Sequence, residues 1–247
     1  MLWLALAAYN EEDNIGELLA DVELARVRDG LQVSVVLVND GSTDRTSAVA
    51  RTTPVGYAIH VIEQANAGFC RALDTALREV LARAAPQDVC VTMDADHTHP
   101  AALMGVLGQT ISDGFDVVIA SRFAAGGRMV GVPAHREWLS ALARVIMRTL
   151  VGIPGVEDYS VSYRAYRIDV LRRVFDAYPL PLDGSGFAGI AGFLVRLSYL
   201  TDRMTEVPLV LRYDFKKSPS RMRIWRSAAG YGRIVAGRWS GRYRPKD

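Results

Sequence analysis

The sequence predicts an α/β fold, a mostly parallel central sheet flanked by helices in a single domain, and three observations predict it. β-rich runs alternate with helical apolar spacing through the first half, the signature of βαβ units. Polar and acidic residues gather directly after those runs, where open α/β sheets hold their ligands. No internal repeat, low-complexity tract or composition break divides the 247 residues.

Residues 2–8 are an unbroken apolar run and read as the first strand, followed by helical spacing over 13–27. The second strand, 33–38, leads to a short helix over 43–50, and the pair repeats at 58–62 and 69–84. A fourth strand over 89–93 leads past Pro100 to a helix over 101–112, and a fifth strand lies at 117–120. The second half is less regular: helical over 136–150, β-like over 160–166, apolar over 186–200, with a further strand over 206–211. Three polar strand ends converge on one crevice: Tyr9-Asn10-Glu11, Asn39-Asp40-Gly41-Ser42 and Asp94-Ala95-Asp96.

Composition narrows the function classes. At 50% hydrophobic and 23% charged, with 21 Gly and 10 Pro scattered, the chain is neither disordered, collagenous nor a coiled coil. Cys70 and Cys90 make no disulfide framework and lack zinc-site spacing, so a reducing, cytoplasmic setting is expected. No run reaches the roughly 20 apolar residues of a membrane span, and 2–8 has no basic leader before it, so any membrane contact is expected to be peripheral. The net charge of +2 is unevenly spread: residues 1–100 carry 7 basic and 15 acidic side chains, residues 212–247 carry 11 and 2. A tail this basic suits phosphates. It holds no nucleic-acid recognition motif, despite Trp225, Tyr231, Trp239 and Tyr243 among its arginines, so nucleic acid is not an expected partner.

Asp94 and Asp96 offer oxygen ligands two residues apart at a strand end, a set suited to a hard divalent cation that also holds substrate phosphates, which points to Mg²⁺ or Mn²⁺. Capping of the helix after Pro100 is the competing role. A calcium loop fails, because the sixth position from Asp94 is His99 and the twelfth is Gly105. With only four histidines in the chain, His97 and His99 poorly supply a zinc or dinuclear centre. Walker, dinucleotide-glycine and Gly-x-Ser-x-Gly motifs are absent, which removes kinase-like, dehydrogenase and serine-hydrolase readings.

Taken in order, Ala8-Tyr9-Asn10-Glu11-Glu12, Val38-Asn39-Asp40-Gly41-Ser42-Thr43-Asp44, Asn66-Ala67-Gly68 and Met93-Asp94-Ala95-Asp96-His97-Thr98-His99-Pro100 resemble family-two glycosyltransferases of the GT-A fold. Ala120-Ser121-Arg122-Phe123, Gly126-Gly127, 158–166, Thr205-Glu206-Val207-Pro208 and Ser220-Arg221-Met222 look like the dolichyl-phosphate mannose synthase branch. The resemblance implies a nucleotide-sugar site of Ala8, Tyr9, Glu11, Asp40, Gly41, Ala67, Gly68, Asp94, Ala95 and Asp96, with Asp40 accepting hydrogen bonds from base or ribose. Asp94 would lie near the sugar and Asp96 would ligate a metal bridging the donor phosphates. Thr98 stands where relatives often have Gln or Ser that approach the metal, and joins Asp94 and Asp96 as a candidate ligand. Arg122, Arg136 and Arg221, with Ser140 one turn from Arg136, match the positions that gather an acceptor phosphate. Asp94, Asp96, Arg122 and Arg136 are thus the expected catalytic set.

The expected reaction is metal-dependent, inverting transfer of a hexose of mannose or glucose type from a GDP- or UDP-linked donor to a polyprenyl phosphate. Two readings compete: a soluble hydroxyl- or phosphate-bearing acceptor, with Asp158 as the base for a hydroxyl, and a catalytically silent lipid-binding relative. Residues 1–211 form the expected glycosyltransferase domain, 1–125 its donor half and 126–211 its acceptor half. The basic tail, 212–247, is expected to be helical. Over 218–239 it mixes arginines with apolar and aromatic residues, which suits a helix in a membrane interface or one packed on the domain. Departures concern the acceptor side and one turn. Ala8 replaces a common Pro, and the family's Ser-Gly-Phe-Arg stands here as Val161-Ser162-Tyr163-Arg164.

Overall fold

In the computed structural model, which describes residues 1–184, 186–215 and 224–245, the first strand, β1 (Leu2–Ala8), is buried along its whole length and lies inside the sheet. Strands covered on both faces read as continuous apolar runs, which is why this segment was legible. β2 (Val33–Asp40) and β4 (Val89–Asp94) flank β1 in parallel, and β3 (Ala58–Gln64) lies outside β2. The helices between them, α1 (Ile15–Asp29), α2 (Thr46–Thr52) and α3 (Phe69–Arg83), complete the right-handed βαβ units expected of parallel neighbours. The register Ala8↔Asn39, Ala7↔Asp94 and Asp40↔Gln64 aligns the polar strand ends on one edge.

The seven-stranded sheet runs β3-β2-β1-β4-β7-β5-β8, with β5 (Val117–Ser121) and β8 (Met204–Pro208) parallel to each other. β7 (Arg164–Arg167) enters antiparallel between β4 and β5. The expected strand over 160–166 is therefore shorter and later. Ser160 and Val161 donate backbone N–H groups to the Asp158 carboxylate at 3.3 and 3.2 Å, which bends this stretch out of the ladder.

The strand expected over 206–211 is two. Pro208 has no N–H to donate, and at Leu209 the chain leaves β8 for β9 (Val210–Arg212), which pairs with β6 (Arg128–Val130) in a separate two-stranded sheet. The helix expected over 101–112 begins as a 3₁₀ turn, Ala101–Leu103, before α4 (Met104–Ser112).

Helices α5 (Ala134–Leu150), α6 (Ile168–Ala177), α7 (Gly186–Leu197) and α8 (Ile224–Trp239) complete the described fold. α7 is buried from Ala188 to Leu197 and sits between α3 and α8. At Gly189 a side-chain carbon would stand 2.3 Å from the Cys70 sulfur, so the close approach of α3 and α7 requires glycine. Cys70 and Cys90 are both buried and unbridged. Among the described residues no helix is long and apolar enough to cross a membrane. The tail helix α8 packs on α7 and α5: Ile234 and Tyr243 are buried, whereas Trp239 remains 72% exposed. Of the segment expected in a membrane interface, Tyr231, Ile234 and Val235 thus pack against the core. Met222 lies outside the described residues.

Candidate functional site

The first two strand ends are tied together by side chains bonding backbone. Asn10 adopts a left-handed φ of 55°; its N–H donates to Ser42 Oγ at 2.9 Å and its Oδ1 accepts from Thr43 N–H at 2.8 Å. The Glu11 N–H donates to Thr46 Oγ1 at 2.9 Å, and its carboxylate accepts from Asn14 Nδ2 at 2.6 Å. Gly41, at φ 73°, is required, since a Cβ there would stand 2.8 Å from the Asn66 nitrogen. Ala8 and Ala95 are buried beside these turns, and Tyr9 is 36% exposed.

Asp40 departs from the expectation. Its carboxylate already accepts from Gln64 Nε2 at 2.7 Å, from Ala67 N–H at 2.9 Å and from Gly68 N–H at 2.8 Å, and the residue is 3% exposed. A carboxylate offers about four acceptor positions. Three are taken, so in this structure Asp40 shapes the 66–68 loop ahead of α3 rather than reaching out to a base or ribose.

The turn after β4 is built around Asp96, whose Oδ1 accepts from Thr98 Oγ1 at 2.7 Å and from Thr98 N–H at 3.2 Å. Thr98 is 4% exposed with its hydroxyl donating to Asp96, which casts it as a support for that carboxylate instead of a ligand in its own right. His97 takes a left-handed φ of 62° and turns toward α1, its Nε2 2.8 Å from Asp21 Oδ2. That removes His97 from the crevice. His99 stays: its ring is 3% exposed and stacks on Tyr163 with centroids 5.1 Å apart.

Asp94, Asp96, Thr98 and His99 line a cavity of about 510 Å³. Arg122, Arg136 and Ser140 line the same cavity, so the structure brings together the residues expected at the acceptor phosphate. Arg221 lies outside the described residues. Apolar side chains line it as well, Leu139, Leu142 and Ile146 of α5 together with Leu211 and Val235. Tyr9, Glu11, Asp40, Gly41, Ala67 and Gly68 do not line this cavity; they occupy the strand ends on the other side of Asp94.

Beneath the cavity lies a buried ion pair. Arg122 donates through Nε and Nη2 to the two oxygens of Asp158, each at 2.7 Å, and through Nη2 to Ser160 Oγ at 2.7 Å. Burial alone raises the Asp158 pKa, but the Arg122 charge and hydrogen bonds outweigh it and hold the carboxyl below its ordinary value. Asp158 is fully buried, acceptor-saturated and kept ionised, and this corrects the expectation that it acts as a base. Glu206, held up by burial, accepts the Glu157 and Asp158 N–H groups at 2.7 Å each.

The sequence did not single out Ser160, Tyr213 or Val235 as site residues. Tyr213 accepts from Arg136 Nη1 at 2.8 Å through its hydroxyl, and Val235 walls the cavity from α8. These are long-range contacts with no local sequence signal. α6, by contrast, carries Ile168, Leu171 and Val174 at helical spacing, a signal that was present.

Comparison with known proteins agrees with this geometry. The family model for Glycosyl transferase family 2 matches residues 4–175, and the chain belongs to that family. Dolichol-phosphate mannosyltransferase of Pyrococcus furiosus is 30% identical over 205 residues, 82% of this chain and 54% of that protein. Polyprenol monophosphomannose synthase of Mycolicibacterium smegmatis is 31% identical over 176 residues, 68% of this chain and 62% of that protein. The chain thus spans little more than half the length of these two relatives. Among solved structures, glucosyl-3-phosphoglycerate synthase of Mycobacterium tuberculosis, in complex with Mn²⁺, UDP-glucose and phosphoglyceric acid, superposes with a TM-score of 0.66 at 17% identity. The match covers 100% of this chain and 81% of that one, and establishes the GT-A fold.

Proposed function

We propose that this chain is a metal-dependent, inverting glycosyltransferase that moves a hexose from a GDP- or UDP-linked donor to a polyprenyl phosphate. One observation carries the reading: a single cavity is lined by two aspartates, two arginines and an apolar stretch of α5. Those three kinds of lining suit a sugar diphosphate with its cation, an acceptor phosphate and a hydrocarbon tail. The names of the P. furiosus and M. smegmatis relatives support the same acceptor class.

The donor set fits a hard divalent cation. Among the described residues no group of three His, Cys, Asp or Glu gathers around a point. Mg²⁺ or Mn²⁺ at a phosphate site is commonly held by one or two carboxylates, with water and substrate phosphates completing its shell. Asp94 and Asp96 would hold it, and when bound it would neutralise charge on the departing diphosphate.

An acceptor phosphate monoester has a second pKa near 6 and is largely ionised at neutral pH, so it needs no protein base. Arg136, braced by Tyr213, would orient it, and Arg122, whose Nε and Nη2 are taken by Asp158 and Ser160, would reach it through Nη1. Attack by its oxygen on the anomeric carbon, from the face opposite the leaving diphosphate, inverts that centre in one displacement. The soluble-hydroxyl reading asks for a base, and the buried Asp158 suits that task poorly. Incubation with Mn²⁺, GDP- or UDP-hexoses and a short polyprenyl phosphate tests the reading; transfer to lipid is expected. Transfer only to a soluble acceptor would replace it.

Arg136→Ala is expected to lower acceptor kcat/KM roughly ten-fold or more, the effect of one lost charged hydrogen bond. Nucleoside diphosphate binding, followed by calorimetry, should be unchanged. A parallel loss of donor affinity would count against Arg136 as an acceptor residue.

We place a membrane contact on α5. Trp138, Leu142 and Val145 follow one face of α5 at 78%, 56% and 59% exposure, and the next face, with Leu139 and Ile146, lines the cavity. A helix that is apolar toward solvent suits shallow insertion at a lipid surface, with the lipid acceptor entering beside it. Trp138→Ser with Val145→Ser should reduce sedimentation with anionic liposomes while leaving donor binding intact. Unchanged sedimentation would remove α5 from the membrane.

A further inference from the structure

Asp94 and Asp158 are both carboxylates near the cavity, but the chain holds them differently. Asp158 is locked by an arginine, and its charge is neutralised in place. Asp94 takes two of its contacts from neutral side chains. Ser162 Oγ donates to Asp94 Oδ1 at 2.5 Å, and Ser162 is itself fixed by Thr92, whose hydroxyl donates to the Ser162 carbonyl at 2.5 Å.

His99 brackets the other side. β4 pairs with β7 only as far as Thr92↔Arg164, whereas its pairing with β1 continues to Ala7↔Asp94. On the β7 side the last N–H of β4 therefore has no strand to bond. His99 takes that place: its Nδ1 accepts the Asp94 N–H at 3.1 Å. A ring nitrogen that accepts carries no proton, so the proton of the neutral ring is on Nε2. Nε2 stands 3.9 Å from Asp94 Oδ2, outside hydrogen-bond range but within a small side-chain adjustment. The stack on Tyr163, whose hydroxyl donates to the Pro100 carbonyl at 2.9 Å, prevents the ring from turning away.

We propose that Ser162 and His99 are positioning residues for Asp94, and that they fix the carboxylate in the rotamer from which it meets the donor. The inference rests on the donor-site reading given above. The terminal torsion of an aspartate is broad, and a carboxylate left to sweep must be ordered at each binding event. Two supports, the Ser162 hydroxyl and the His99 ring, order it in advance. In this sequence the serine falls in Val161-Ser162-Tyr163-Arg164, at a position where the resembled family keeps glycine, so the Ser162 support departs from that family's pattern.

The test compares Ser162→Ala, Ser162→Thr, His99→Phe and His99→Asn with wild type. Calorimetry with UDP or GDP in the presence of Mn²⁺ gives donor-site affinity, donor kcat and KM are measured separately, and urea midpoints report folding. Ser162→Ala is expected to lower donor kcat/KM about ten-fold, the worth of a hydrogen bond to a charged group, with its urea midpoint near wild type. Ser162→Thr, which keeps the hydroxyl, should recover most of it. His99→Phe keeps the stack and loses both nitrogens; His99→Asn keeps an acceptor near the Nδ1 position and should fall less far. Ser162→Ala with wild-type affinity and turnover would overturn the inference, as would a loss that tracks the urea midpoint and is not recovered by threonine. A wild type that binds neither nucleotide with Mn²⁺ would instead overturn the donor-site reading, and the inference with it.

Discussion

Asp96→Asn is expected to lower sugar transfer by roughly two to three orders of magnitude, the scale at which removal of one electrostatic support for a developing charge is felt. The substitution keeps the side chain's size. Thr98 Oγ1 and N–H can still donate to the remaining amide oxygen, so the turn after β4 has the bonds it needs to hold its shape. What is lost is the negative charge by which Asp96 is proposed to hold the metal. The variant should therefore unfold at the wild-type urea concentration while Mn²⁺-dependent nucleotide binding disappears from calorimetry. Near-normal turnover, or wild-type turnover that chelator leaves untouched, would remove the metal from Asp96.

The parts of this site that were legible beforehand are those whose signal is local. β1, β2 and β4 are apolar runs ending in acids, and a parallel sheet puts those ends on one edge whatever the details of packing. The aspartates could be placed because a strand end fixes where they stand. What they touch was not legible. Asp40 reads as a ligand-facing acid, yet Gln64, Ala67 and Gly68 fill most of its acceptor positions, and these lie 24 to 28 residues away. The same holds for Asp158 and Arg122, 36 residues apart, whose pairing changes a candidate base into an ionised anchor. The tail shows the limit from the other direction. Its basic and aromatic mixture fits a membrane interface, yet among the described residues α8 turns Ile234 and Val235 inward, and an exposed apolar stripe lies on α5.

Asp158→Asn is expected to cost about 3–5 kcal/mol of folding stability, because it leaves the Arg122 guanidinium desolvated without its counter-charge. Side-chain exposures of 12% for Arg122 and 1% for Asp158 place the pair in that regime and not among screened surface bridges. For a domain of this size each kcal/mol moves the Tm by about 2–4 °C. The pH dependence has a definite sign. The folded pKa of Asp158 is depressed, so its contribution is fully present above the unfolded value near 4 and is lost as pH falls through the folded one. Glu206 works against it. Its folded pKa is raised, so its contribution is present at low pH and lost as pH rises past the unfolded carboxylate value. Wild type should thus show an acid limb of falling stability from about pH 4 downward that Asp158→Asn flattens. Replacing both partners, Asp158→Asn with Arg122→Met, should recover much of the stability of the single variant, since an apolar side chain removes the stranded charge. A general base would behave otherwise: Asp158→Asn would leave the urea midpoint alone and erase the lower limb of the kcat–pH profile. A stable, folded Asp158→Asn protein with that profile would return Asp158 to the chemistry and take it out of the scaffold beneath the cavity.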